Sequence, residues 1–123
     1  MLRTGKPRDM IEFYQQAFGF KLIRKSEHDD FTLYFLGNEE QIAQIELTYN
    51  HGKDDSYQKG EGFGHIAIHT DEGQSLQEAY EKAVSAGGQD YRPPEDCPGN
   101  YAFVKDPEGY EVEILARSPE QSD

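Results

Sequence analysis

Apolar residues recur at helical spacing in two segments of the chain. The first segment predicts a helix over residues 7–18, and the second predicts a helix over residues 75–86. Pro7 suits the first position of a helix, and a glycine follows each segment, at Gly19 and at Gly87. The apolar positions are Ile11, Tyr14 and Phe18 in the first segment, and Leu76, Ala79, Ala83 and Val84 in the second.

Short runs with the composition of strands accompany these helices. They cover residues 20–25, 31–36 and 42–49 in the first half, and residues 65–70, 101–105 and 110–116 in the second half. The turn Asp106-Pro107-Glu108-Gly109 joins the last two runs, and its composition is typical of a β-turn. A polar segment rich in glycine separates the halves at residues 50–64, and residues 118–123 are expected to be a frayed tail.

The two halves repeat the same order of elements. Each half shows a strand, a helix and then about three strands, and Ile45-Glu46-Leu47 parallels Val112-Glu113-Ile114 near the ends of the halves. The pattern predicts an α+β fold with two βαβββ units, over residues 1–57 and 64–117, within a single domain of residues 1–123. Neither unit can bury its own sheet, so we expect two curved mixed sheets around a cleft.

Composition removes several classes of function. The chain has 24 Asp and Glu against 12 Lys and Arg, a net charge of −12, which disfavours nucleic acid as a partner. No apolar run approaches the ~18 residues of a membrane span, and the first residues form no signal segment, so we expect a cytoplasmic protein. Cys97 is the single cysteine, which excludes a disulfide framework and a thiolate zinc site.

Three side chains are candidates for metal binding. Glu46 and Glu113 occupy equivalent positions in the two halves, each within a strand whose apolar neighbours point to the opposite face. His65 begins the first strand of the second half, where a cleft would open. His69 lies on the same face, but four strand residues span roughly 13 Å, so the two histidines do not share an ion.

Several motifs resemble those of the glyoxalase I (lactoylglutathione lyase) family of the vicinal-oxygen-chelate superfamily, over nearly the whole chain. They are Met1-Leu2-Arg3, Glu12-Phe13-Tyr14, Phe18-Gly19-Phe20-Lys21-Leu22, Ile45-Glu46-Leu47-Thr48-Tyr49-Asn50, Gly64-His65-Ile66-Ala67, Ala86-Gly87-Gly88 and Asp106-Pro107-Glu108-Gly109-Tyr110-Glu111-Val112-Glu113. The Glu-Leu-Thr-Tyr-Asn run carries most of the specificity, since the aspartate-proline-acidic-glycine turn occurs across the superfamily. The resemblance implies the glyoxalase fold.

The resemblance implies an octahedral metal site with four protein ligands and two waters. Glu46, His65 and Glu113 match three of the ligand positions. The family's fourth ligand is a histidine or glutamine on the first strand, and by the internal repeat its position falls two or three residues before Met1. We therefore expect a truncated first strand, and a chain that begins after this ligand position. The implied ion is Ni²⁺ or Co²⁺, with Zn²⁺ second.

The implied reaction converts the hemithioacetal of methylglyoxal and glutathione, the cosubstrate, into S-D-lactoylglutathione. Glu113 is the expected base, and Glu46 is its partner on the opposite face of the substrate. Arg3 and Asn50 are expected to bind the carboxylate and amide groups of glutathione, and Arg92 is a further candidate for a basic contact. The family also implies a homodimer, in which Glu46 of one chain meets His65 and Glu113 of the other.

Three other interpretations remain open at this point. The first is another enzyme of the superfamily: a thiol transferase, a dioxygenase or an epimerase. A dioxygenase needs two histidines and one carboxylate around iron, whereas only His65 is placed for this role. An epimerase must bind the phosphates of coenzyme A, which the net charge of −12 disfavours. The second is a metal-poor module that binds a ligand without chemistry. The third is a structural or interaction protein, for which carboxylates in a cleft would have no purpose.

Overall fold

The computed structural model describes residues 1–38 and 44–117. Within these residues the chain forms two α-helices and eight strands. In chain order they are β1 (Leu2–Arg3), α1 (Pro7–Phe18), β2 (Lys21–Glu27), β3 (Phe31–Gly37), β4 (Ile45–Asn50), β5 (His65–His69), α2 (Leu76–Ser85), β6 (Gln89–Arg92), β7 (Tyr101–Lys105) and β8 (Glu111–Leu115).

The strands form two four-stranded mixed sheets with the same topology. Their orders are β1-β4-β3-β2 and β5-β8-β7-β6. In each sheet the first strand runs parallel to the last strand of its own half, and the other pairs are antiparallel. The predicted α+β fold of two βαβββ units is confirmed, and β1, with two residues, is short as expected.

Most predicted elements agree with the structure, and the differences are local. Helix α1 covers the predicted residues, whereas Ser75 and Ala86 cap α2 rather than belong to it. Strand β6 lies in a stretch for which the sequence predicted no bounds, since all four of its residues are exposed and lack apolar alternation. Residues 42–43 of the predicted third strand, part of the turn before it and the predicted tail lie outside the described residues.

A shared core joins the halves. Each helix packs on the sheet of its own half, and the two helices pack on each other. The core is made of residues from both halves, including Phe13, Tyr14 and Leu47 from the first and Ala83, Val112 and Ile114 from the second. The two sheets are therefore held in one body by buried apolar side chains, whose removal from water is the main driving force for folding.

The turn between β7 and β8 makes polar contacts with the first half. Asp106 accepts a hydrogen bond from the Tyr14 hydroxyl at 2.8 Å, and Glu108 accepts one from the Thr4 hydroxyl at 2.7 Å. The Tyr110 hydroxyl donates to the backbone oxygen of Arg3 at 2.6 Å. These contacts fix the start of the first half against the turn that leads into β8.

No helix among residues 1–38 and 44–117 is long and apolar enough to cross a membrane.

Candidate active site

Each sheet has one face against the helices and one face without them. Strand alternation separates the two faces, since Val112 and Ile114 of β8 are buried in the core while Glu111 and Glu113 point to the other side. In β4, Leu47 lies in the core and Glu46 points to the opposite side. We call the sides that carry Glu46 and Glu113 the open faces.

His65 and Glu113 contact each other on the open face of the second sheet. The Nε2 atom of His65 lies 3.1 Å from Oε1 of Glu113, with the two side chains 40% and 19% exposed. Parallel pairing of β5 with β8 places Ala67 beside Glu113, so His65 reaches it diagonally. The His65 ring also meets the edge of Phe103, with centroids 5.0 Å apart, which fixes the orientation of the imidazole.

Glu46 lies on the open face of the first sheet, where it is partly exposed and paired in register with Phe35. It does not join the pair of His65 and Glu113 within one chain, since no three His, Cys, Asp or Glu side chains converge as a metal site among the described residues. A single chain thus brings together two of the three predicted ligands.

The two other predicted site residues lie on the first sheet. Arg3 is exposed on β1 and pairs in register with Thr48, two residues along β4 from Glu46. Asn50 ends β4, and its side-chain amide donates to the Tyr57 hydroxyl at 3.1 Å. Both therefore belong to the sheet that carries Glu46 rather than to the sheet of His65 and Glu113.

His69 is separate from this pair. Its register partner is Leu115, two residues beyond Glu113 on β8. The Nδ1 atom of His69 lies 3.1 Å from the backbone oxygen of Thr70, and the Arg117 guanidinium is 3.3 Å from the same atom. The ring is thus engaged at the far end of β5, in agreement with the expectation that His69 does not share an ion with His65.

The pairing registers reveal how the two halves correspond. Leu47 and Ile114 occupy equivalent positions in the two halves. Since Leu2 pairs with Leu47 and Ile68 pairs with Ile114, Leu2 corresponds to Ile68 and Arg3 corresponds to His69. In this register the first-half counterpart of His65 falls three positions before Leu2. The structure therefore supports the sequence expectation that residues 1–38 hold no counterpart of His65.

Each open face carries a row of three side chains across its strands. In the first sheet, register pairs connect Arg24, Phe35 and Glu46. In the second sheet, they connect Arg92, Phe103 and Glu113. In both rows the guanidinium lies over the phenyl ring, 4.1 Å from the ring centroid for Arg24 and 5.5 Å for Arg92.

Both phenylalanines and Arg24 were not predicted as site residues, although their spacing in the sequence contains the pattern. Arg24, Phe35 and Glu46 are 11 and 11 residues apart, and Arg92, Phe103 and Glu113 are 11 and 10 residues apart. Antiparallel pairing of neighbouring strands makes residues at such a spacing lateral neighbours in the sheet. A search for repeats with gaps, rather than for contiguous motifs, would have found them.

The donor chemistry of the predicted ligands fits a divalent transition metal. An imidazole nitrogen and a carboxylate oxygen lie 3.1 Å apart on an open face, where both can contact one ion. Mixed imidazole and carboxylate ligands suit Ni²⁺, Co²⁺ and Zn²⁺ alike. The described part of one chain brings these two donors together without Glu46.

A surface cavity of about 340 Å³ lies elsewhere, between α2 and the segment that begins with β6. Tyr80, Val84 and Pro93 line it, and Glu46, His65 and Glu113 do not. The candidate residues thus lie on sheet surfaces outside this concavity.

Comparison with known sequences identifies the family of the chain. A family model described as Glyoxalase/Bleomycin resistance protein/Dioxygenase superfamily matches residues 1–114. The chain is 44% identical to a probable lactoylglutathione lyase of Vibrio cholerae, over 94% of this chain and 86% of the relative. It is 40% identical to the lactoylglutathione lyase of Haemophilus influenzae, over 99% of this chain and 93% of the relative.

Solved structures with the same fold include glyoxalases I. The trypanothione-dependent glyoxalase I of Leishmania major superposes with a TM-score of 0.77 at 35% identity, over 94% of this chain and 83% of that one. Glyoxalase I from Zea mays gives 0.78 at 36% identity, over 97% of this chain but 44% of the maize chain. With the curated relatives, these matches show that the chain belongs to the glyoxalase I family, as its motifs predicted.

Proposed function

We propose that the chain is a lactoylglutathione lyase, which isomerises the hemithioacetal of methylglyoxal and glutathione to S-D-lactoylglutathione. The observation that carries this proposal is the contact of His65 with Glu113 on an open sheet face. Both residues match ligand positions of the family, and two bacterial relatives, covered to 86% and 93% of their lengths, are named for this activity. The reaction uses reduced glutathione, consistent with a cytoplasmic enzyme with a lone cysteine.

His65, Glu113 and Glu46 are the residues that would hold a divalent ion. We favour Ni²⁺ or Co²⁺ over Zn²⁺, following the family resemblance. When bound, the ion supplies Lewis-acid stabilisation of the negative charge that develops on the two vicinal oxygens of the substrate.

The carboxylates perform the proton transfer. Glu113 removes the proton from the carbon that bears sulfur, and Glu46 acts from the opposite face. Return of a proton to the adjacent carbon completes the isomerisation, so no oxidant or reductant is consumed. The ring of Phe103 contacts that of His65, which keeps the imidazole in place beside this carboxylate.

Cationic and amide side chains on the open faces bind the tripeptide. Arg3 and Asn50 lie along the sheet of Glu46, and Arg92 lies above Phe103 in the row of Glu113. A guanidinium matches the geometry of a carboxylate with two parallel hydrogen bonds, so Arg3 and Arg92 suit the charged ends of glutathione.

The active unit is a homodimer with two shared sites. As the family resemblance implies, Glu46 of one subunit meets His65 and Glu113 of the partner; the described part of one chain does not bring the three together. The open faces also carry partly exposed apolar side chains, and Leu22, Ile23 and Leu115 are exposed along edge and terminal strands. Burial of such surfaces favours association.

The test is the formation of thioester from glutathione and methylglyoxal, followed by ultraviolet absorbance after addition of Ni²⁺, Co²⁺ or Zn²⁺. We expect turnover by the wild type and a loss of ~10²–10⁴-fold for Glu113→Gln, which keeps the shape of the side chain but removes the base. His65→Ala should lose activity through weaker metal binding, and excess Ni²⁺ should restore part of it.

His69→Ala is the matched control, since it removes the other imidazole of β5 without touching Glu113. Unchanged turnover is expected for it. Full activity of Glu113→Gln would assign the role of general base to Glu46 instead. Absence of activity with every metal would refute the lyase assignment.

The second candidate is a metal-poor binding module. It is favoured by the missing fourth ligand, since residues 1–38 hold no counterpart of His65. Calorimetry with Ni²⁺ separates the two candidates, since each ligand contributes to binding free energy. Binding weaker than about 100 µM together with absent turnover would favour the module, whereas a tight stoichiometric site supports the enzyme.

A further inference from the structure

The two open faces repeat one another beyond the ligand positions. Each has an arginine on the edge strand, a phenylalanine on the next strand and the candidate carboxylate on the third. A break in strand register lies immediately before the arginine in both edge strands, between Leu22 and Arg24 and between Asp90 and Arg92. Such a bulge changes the direction of the side chain that follows it, so the same backbone irregularity orients both arginines.

The Arg24 guanidinium lies over an aromatic ring of the sheet. Its Cζ atom lies 4.1 Å from the centroid of the Phe35 ring, closer than Arg92 lies to Phe103. A cation stacked on an aromatic face gains electrostatic stabilisation and loses little further entropy when it binds a ligand. Arg24 is therefore preorganised on the same face as Glu46.

No carboxylate among residues 1–38 and 44–117 forms an ion pair with Arg24. Lys25, the next residue, does pair with a carboxylate, that of Glu27 at 2.9 Å. Among the described residues, the guanidinium of Arg24 therefore remains available to bind a carboxylate of a ligand.

Arg24 is also within reach of a ligand placed at Glu46. Two strand spacings of about 4.8 Å separate β2 from β4, which puts the two Cα atoms roughly 10 Å apart. A tripeptide extends to about 10 Å. A glutathione thioether whose sulfur lies near Glu46 can therefore place one of its two carboxylates at Arg24.

We propose that Arg24 is a substrate-binding residue that contacts a carboxylate of the glutathione moiety on the Glu46 side of the site. The assignment rests on the proposed function for the identity of the tripeptide. Arg24 would bind glutathione together with Arg3 and Arg92. Its role follows from the equivalence of the two rows, in which Arg24 occupies the position of Arg92. Arg24 binds the ligand and takes no part in proton transfer.

Arg24→Gln is the test variant, and Lys25→Gln is its matched control. Both remove one positive charge from the same strand, but Lys25 pairs in register with Tyr34, and so lies on the face opposite Arg24. We expect Arg24→Gln to raise KM about 5- to 30-fold with kcat within about twofold, since a hydrogen-bonded charge pair is lost in substrate and transition state alike. Lys25→Gln should leave both constants unchanged.

Direct binding of S-methylglutathione, measured by calorimetry, makes the test independent of catalysis. Arg24→Gln should weaken this binding by the same 5- to 30-fold, and the difference should shrink at high salt. Two further probes replace either the glycine carboxylate or the γ-glutamyl α-carboxylate by an amide. The wild type and Arg24→Gln should bind one of these two probes equally, because that probe lacks the group that Arg24 contacts.

The outcomes separate this inference from the lyase proposal. If wild type turns over the hemithioacetal and Arg24→Gln matches Lys25→Gln in KM and in binding, the role of Arg24 is refuted and the lyase stands. If wild type binds S-methylglutathione in an Arg24-dependent way without turnover, the lyase fails and the contact stands. A penalty that persists with both amide probes refutes the contact, and a wild type with neither binding nor turnover refutes both.

Discussion

Asp106 is a buried carboxylate, 2% exposed, in the turn between the last two strands. Its Oδ1 atom accepts hydrogen bonds from the backbone N–H groups of Glu108, Gly109 and Tyr110. The Tyr14 hydroxyl donates to Oδ2. Burial outweighs these hydrogen bonds and raises the pKa of Asp106 from 3.8 to about 6, so the carboxylate carries a charge that its surroundings do not fully stabilise.

A pH dependence of stability follows from this pKa. A raised pKa means that the folded state holds the proton more tightly, so the contribution of Asp106 to stability is fully present below pH 3.8 and is lost as the pH rises to about 6. Wild type should lose about 1.4 kcal/mol of unfolding free energy per pH unit in this window, relative to Asp106→Asn. Urea unfolding, followed by circular dichroism at several pH values between 4 and 7, measures it.

Asp29→Asn is the control for this prediction, since Asp29 is exposed. It should leave the slope of the wild type unchanged. The groups that face Asp106 are Tyr14, Glu108 and Tyr110, and the two phenols stay neutral in this window because burial raises their pKa values above 10. Identical pH profiles for wild type and Asp106→Asn would contradict the assignment of a raised pKa to this carboxylate.

The sequence predicted which residue types carry chemistry, but not all of their partners. Glu46 and Glu113 were identified because a charged residue between apolar neighbours in a strand is conspicuous. Phe35 and Phe103 were not, because a phenylalanine in a strand is usually a core residue. Only the register showed that Phe103, although 8% exposed, packs with His65 on the open face, outside the main core.

The packing of the two helices depends on a glycine at the end of α2. A Cβ atom at Gly88 would lie 2.8 Å from the backbone oxygen of Ala83 and 2.8 Å from a ring carbon of Phe13. The backbone of Gly88 is not in the left-handed region, so a substitution is strained by contact alone. Glycine therefore allows the end of α2 to approach α1 closely.

Gly88→Ala should lower the unfolding free energy by about 1–3 kcal/mol, since the added methyl overpacks the junction of the two halves. Gly62→Ala is the matched control, because a Cβ there meets nothing within 4 Å and its φ is not positive. It should change stability by less than about 0.5 kcal/mol. Thermal melts measure both, and equal melting temperatures would contradict the close packing at Gly88.

The elements with internal apolar periodicity were predicted well, and the others were not. The bounds of α1 follow from Pro7 and Gly19, and Gly19 ends the helix with a φ of 71°. Ser75 looks like a helical residue in sequence, but its hydroxyl accepts the N–H of Glu78 and caps α2. Strand β6 has no apolar pattern, and it is held by its pairing with β7 and by hydrogen bonds of Asp90 and Tyr91 with the Tyr80 hydroxyl of α2.

At the scale of the molecule, the halves share one core but divide the candidate site. Tyr14 of α1 and Ile114 of β8 lie in the same buried cluster, so we propose that residues 1–117 fold as one domain. Thermal melts of Gly88→Ala and Gly62→Ala test this, since each variant should unfold in a single transition. Glu46 and Glu113, by contrast, occupy open faces that one chain does not bring together in its described part. A sequence shows that two carboxylates are equivalent, but it does not show which chain supplies each.

Mixed dimers decide whether the sites are shared between subunits. Glu46→Gln alone and the double variant His65→Ala/Glu113→Gln should each be nearly inactive as homodimers. After mixing under conditions that exchange subunits, a shared arrangement puts an intact Glu46 from the double variant beside an intact His65 and Glu113 from the Glu46→Gln chain. The other site of the same dimer then carries all three substitutions.

Random pairing makes about half of the dimers mixed, and each mixed dimer has one intact site of two, so the mixture should recover about a quarter of the wild-type rate. If each site belonged to one chain, every site in the mixture would lack a residue and no activity would return. A mixture of Glu46→Gln with Glu46→Gln/His69→Ala is the control, since none of its pairings restores Glu46. Recovery that rises with exchange time and stays absent in this control would assign Glu46 and the His65–Glu113 pair to opposite subunits of one site.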